Sequence, residues 1–142
     1  MVKKNKFFGG AIVNDVFPLV LAFSFNESDV MFRKRVDSAE LSVPDEEIFI
    51  LGSALKQKGR TVLCEEQQFI LIRLNFIPKT NTEYSFLQHE IFHAVCFVMS
   101  QVGMKLSDDS DEAYAYLISF YTREFYDLID KKQKKKIVPI PA

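Results

Sequence analysis

Apolar residues along this chain repeat with two different periods, and the change falls near its middle. Leu87, Ile91, Ala94, Val95, Val98 and Val102 recur at three- and four-residue steps, the stripe of a helix with one buried face. Its ends are marked. Thr80-Asn81-Thr82-Glu83 fits a capping box, and Gly103 stands where a helix-terminating glycine belongs. Phe86, His89, Glu90 and His93 fall on an adjoining face of the same helix. A second helix is predicted from Ser110, a suitable N-cap, to about Lys132. Ala113, Leu117, Phe120, Tyr121, Phe125, Leu128 and Ile129 supply its buried face.

The first half reads differently. Val16 to Phe25 is rich in β-branched and aromatic residues and predicts a strand. Asn26-Glu27-Ser28-Asp29 is a turn or a helix start, and Val30 to Val36 suits either a short helix or a strand. Pro44-Asp45-Glu46-Glu47 resembles a helix N-terminus, giving a helix to about Lys56 that Gly59 ends, although Ile48 to Leu51 would also suit a strand. Arg60–Cys64 and Phe69–Phe76 predict two strands joined around Glu65-Glu66-Gln67-Gln68, with Pro78 stopping the second. In that second strand Arg73 and Asn75 share a face expected to meet solvent or a groove.

The fold class expected is therefore α+β. A short mixed or antiparallel sheet from the N-terminal half packs on the histidine-bearing helix and a C-terminal helix. A chain of 142 residues, 48% hydrophobic and with 14 phenylalanines, suits one domain with a sizeable core. Within it, 1–79 forms the strand-rich part, 80–136 the two-helix part and 137–142 a tail. A formal net charge of −1 gives no global attraction to nucleic acid or membrane, and neither is expected as a partner. The lysines at 131, 132 and 134–136 read as a solvated helix end. No apolar run reaches membrane-spanning length, and Asn14, Asp15 and Pro18 interrupt what would be a signal sequence. A soluble, intracellular protein is expected. Cys64 and Cys96 lack the spacing of a zinc ribbon or a disulfide framework.

The chemistry concentrates in His89-Glu90-Ile91-Phe92-His93, which contains the only two histidines of the chain. At i and i+4 of a helix both imidazoles stand on one face, one turn apart, and can reach a single Zn²⁺, with Glu90 beside them to act on water. Catalytic zinc normally takes three protein ligands. With no histidine left, the third must be a carboxylate or a thiolate. Glu112, in the first turn of the returning helix, is the candidate best placed by a helical hairpin, and Ala113 and Ala115 permit close helix approach. Asp111, Asp109, or no carboxylate at all stay open, since acids at a helix start also serve capping. Cys96, one turn after His93, reads as a small buried hydrophobe.

These motifs resemble the zincin metallopeptidases, specifically the gluzincin type with HExxH on one helix and a Glu on the next. Cys96 and Met99 stand where the longer metzincin pattern wants Gly and His. His89-Glu90-Ile91-Phe92-His93-Ala94 and Asp111-Glu112-Ala113-Tyr114-Ala115-Tyr116-Leu117 are most similar to small zincin-like proteins encoded by bacteriophages, over roughly residues 60–125. The resemblance implies a zinc peptidase acting on a peptide or protein substrate, in the host cytoplasm or associated with virions. It also implies peptide binding along the strand before the motif helix, here Phe69–Phe76, and makes Tyr114 and Tyr116 candidates for placing a phenol near an oxyanion. Two other readings stand beside it: a virion or assembly protein with a zincin-like fold working through protein–protein contacts, and a helical adaptor in which HExxH is chance.

Overall fold

The computed structural model describes residues 7–17, 19–44 and 58–134. Among these residues four strands and three helices follow in the order β1 (Phe8–Ile12), β2 (Val20–Phe25), α1 (Asp29–Ser38), β3 (Gly59–Cys64), β4 (Phe69–Leu74), α2 (Asn81–Gln101) and α3 (Asp111–Lys134). The strands form one mixed sheet in the order β1-β2-β4-β3. Its outer pairs, β1 with β2 and β3 with β4, are antiparallel, and the central pair β2 and β4 is parallel. An α+β domain is what the two hydrophobic periods predict. The expected helix between Pro44 and Lys56 lies almost wholly outside the described residues.

Alternation along β4 sorts its side chains into two cores. Ile70, Ile72 and Leu74 face α2 and α3 together with Leu21, Phe23 and Phe25 of β2. Phe69 and Leu71 face the opposite way and pack with Phe32 and Val36 of α1. The sheet is thus the middle of three layers. α3 sits over β2, where Phe125 contacts the rings of Phe23 and Phe25 at 5.1 and 5.7 Å. α2 packs against β3 and β4.

Two local expectations change. Strand β2 begins at Val20, not Val16, because the Asn14 side-chain oxygen accepts from the amides of Val16 (2.7 Å) and Phe17 (3.1 Å) and folds that stretch into a turn. Arg73 faces neither solvent nor a groove. It is 1% exposed under α1, donating to Asp29 Oδ1 at 3.0 Å and to the Glu27 carbonyl at 3.0 Å, with its guanidinium 4.0 Å from the centre of the Phe32 ring. Burial holds its pKa below the ordinary arginine value, and Asp29 and Glu27 oppose that shift.

The helix boundaries follow the capping signals. Thr80 and Glu83 make the reciprocal capping box. At the other end the Gly103 amide donates to the Ser100 carbonyl and Met104 to that of Met99, the paired bonds of a Schellman turn. Gly103 has φ +76°, which a residue with a Cβ adopts only at a cost. Ser110 flanks α3, but its hydroxyl turns back into the loop, accepting from the Ser107 amide and donating to the Lys105 carbonyl. No helix among the described residues is long and apolar enough to cross a membrane.

Candidate metal centre

The helical stripe that buries Leu87, Ile91, Ala94, Val95 and Val98 leaves His89 and His93 on the exposed side of α2. Their Nε2 atoms are 3.1 Å apart, with ring centroids 4.7 Å apart and planes at 76°. Two nitrogens bound to one zinc at about 2.0–2.1 Å in a tetrahedral shell would stand roughly 3.3 Å apart. The 3.1 Å separation is that of a hydrogen bond between the two rings, and it lies close to the spacing of two ligands of one ion.

Glu90 points from the same helix toward the sheet. It is 8% exposed and receives the Thr61 hydroxyl, which lies 2.8 Å from Oε1 and 3.1 Å from the Glu90 carbonyl. Gly59, Arg60 and Thr61 of β3 join His89, Glu90, His93 and Phe97 of α2 to line a cleft of about 410 Å³. Strand β3 is terminal in the sheet, and no strand among the described residues pairs with its outer edge. The cleft thus has imidazoles on one wall, a carboxylate set back beneath, and a β-edge along the other.

The strand expected to receive peptide is corrected by this topology. β4 lies between β2 and β3 with both edges already paired, and all six of its residues are buried. It has no hydrogen-bonding groups left for a guest strand. Among the described residues, the sheet edge that borders the histidine cleft belongs to β3.

Glu112 is not brought to the histidines. Among the described residues no three His, Cys, Asp or Glu side chains gather as a metal site. The helix register shows why. Gln88 Nε2 donates to Thr122 Oγ1 at 3.0 Å, and the rings of Tyr84 and Tyr126 meet at 4.8 Å. In an antiparallel pair these contacts put Leu117 opposite His93, and Glu112 opposite Val98. Five residues of helix separate those levels, about 7.5 Å. The direction is wrong as well, because Gln88 marks the side of α2 that faces α3. At about 100° per residue, His89 and His93 point roughly 100° and 140° away from it. Asp109, Asp111 and Glu112 are all exposed near the start of α3.

The remaining candidates also have other places. The Tyr114 hydroxyl donates to the Met104 carbonyl at 2.8 Å and ties the interhelical loop to α3. Tyr116 is 49% exposed and stacks on Phe120, with centroids 6.5 Å apart. Neither lines the histidine cleft. Burial pushes the half-buried Cys96 thiol up, and Cys96 is not among the residues that line the histidine cleft. Thr61 and Gly59 were missed in the sequence; their only signal there is a shared face of one strand. No protein family, curated protein or solved structure matches the chain.

Proposed function

We propose that the chain is a zinc-dependent peptide hydrolase with a zincin-like arrangement. His89 and His93 hold the metal, and Glu90 is the general base. The observation that carries this reading is the pair of Nε2 atoms at 3.1 Å, opening on a cleft that contains Glu90 and is rimmed by the edge of β3. An extended substrate adds to that edge by main-chain hydrogen bonds, which brings a peptide carbonyl across the cleft. A zinc ion held by the imidazoles supplies Lewis acidity there. Glu90 takes a proton from the attacking water and returns it to the departing amine as the C–N bond breaks. Thr61 occupies Oε1 and leaves Oε2 for that proton.

The described residues supply two of the three protein donors typical of catalytic zinc. A second reading, a phage virion or assembly protein that keeps a zincin-like shape, is favoured by the position of Glu112 more than one helical turn beyond the imidazoles. Zinc titration and peptide hydrolysis separate the two. Zinc binding lost in His89→Ala/His93→Ala, together with hydrolysis of extended peptides that falls about 10²–10⁴-fold in Glu90→Gln while zinc is retained, supports the hydrolase. Hydrolysis at the wild-type rate in Glu90→Gln sinks it.

A further inference from the structure

The proposed base does not stand on its own helix alone. Glu90 is nearly buried, yet among the described residues the one side chain bonded to its carboxylate comes from the edge strand, Thr61 Oγ1 at 2.8 Å from Oε1. The same hydroxyl lies 3.1 Å from the Glu90 carbonyl, so a single side chain addresses both ends of the residue. Two positions earlier on the same face of β3, Gly59 makes room for the stem. A Cβ there would stand 3.3 Å from Glu90 Cγ and 2.6 Å from Leu74 Cδ2. Strand β3 thus offers a seat, with space under Gly59 and a donor at Thr61, into which the carboxylate is turned.

From this geometry we infer that Thr61 is a positioning residue that aims the Glu90 carboxylate, with Gly59 as the floor of the seat. This role rests on the hydrolase reading given above. Since β3 is also the strand whose outer edge takes the substrate in that reading, the link couples peptide docking to the base. Pairing of a guest strand stiffens β3, and the stiffening reaches Oε1 through one hydrogen bond. Thr61 touches no reacting atom; its effect passes through Glu90.

The test uses the near-isosteric Thr61→Val, the conservative Thr61→Ser, and Glu90→Gln, each loaded with zinc and given an extended peptide. Expected are a fall in kcat of roughly 10–100-fold for Thr61→Val with KM and zinc affinity unchanged, and recovery of most of the rate in Thr61→Ser. A metal-free readout runs beside it, a double-mutant cycle of Thr61→Val and Glu90→Ala on urea unfolding. Thr61→Val is expected to lower the midpoint in the wild-type background and to leave it nearly unmoved in the Glu90→Ala background. Additive midpoint shifts overturn the contact. Wild-type kcat in Thr61→Val, with Glu90→Gln inactive, overturns the positioning role and leaves the hydrolase reading standing. A wild-type protein that hydrolyses no peptide, with the cycle still coupled, removes the hydrolase reading and this role with it.

Discussion

Replacing Arg73 by Met tests how α1 is fastened to the sheet. The guanidinium is fully enclosed, and its bonds to Asp29 and to the Glu27 carbonyl are each 3.0 Å long. The Asp29 side chain is itself only 10% exposed, so it loses the Arg73 ion pair with little water to replace it. Breaking such a pair from one side costs about 3–5 kcal/mol. The lower end applies here, because Asp29 lies in the first turn of α1, where the helix dipole favours a negative charge. Against a total stability of about 5–15 kcal/mol, a loss of ~3 kcal/mol is severe but survivable. With a urea slope of about 2 kcal/mol/M, the midpoint should fall by roughly 1.5 M. Urea unfolding followed by circular dichroism reads that shift. The double variant Arg73→Met/Asp29→Asn should recover part of it, because no uncompensated charge then remains. A single-variant midpoint within ~0.3 M of wild type would mean that the cost of burying the cation cancels its contacts, and the account of this network would be wrong.

Other expectations concern the phenol of Tyr121 and the carboxylate of Glu112. Burial raises the Tyr121 pKa from 10.0 to about 12, and its hydroxyl has no hydrogen-bond partner among the described residues. Between pH 10 and 12 the unfolded chain releases a proton that the fold keeps, so stability declines as pH rises through that window. The loss is on the order of 2–3 kcal/mol by its upper end. Tyr121→Phe should remove that part of the alkaline slope and leave the neutral-pH urea midpoint equal or higher; equal alkaline slopes in the two proteins would refute the assignment. Glu112→Ala is expected to leave zinc affinity within about twofold, measured by competition with a chromogenic chelator. A loss of tenfold or more, about 1.4 kcal/mol, would show that α3 reaches the metal after all.

The helical half was legible because its signals are local. The capping box at Thr80, the glycine at 103 and the stripe from Leu87 to Val98 each act within a few residues, and the structure follows all of them. Val102 is the exception, 41% exposed because the helix turns off at that point. Strand β1 was missed: Phe8 to Ile12 carries two glycines, and these dilute the β pattern. Sheet order was not legible at all. Alternation in β4 told its two faces apart, but whether the second face met water depended on α1 landing over it, a tertiary event no local pattern records. The histidine pair was fixed by helical spacing alone. Its third donor was not, because the level of Glu112 depends on how far α2 runs past His93 before Gly103 ends it. Three residues fewer would have brought the first turn of α3 closer to the level of the imidazoles.

The parallel central pair has a consequence for synthesis. β2 joins Val20 to Phe69, so its inner edge has no partner until about 50 further residues have been made. At about 5–20 residues per second that interval is roughly 2–10 s. Through it the β1–β2 hairpin displays Phe23 and Phe25 on one face and an open strand edge beside them. The nascent chain is therefore most open to capture by a chaperone, or by another copy of itself, before the histidine helix has been translated.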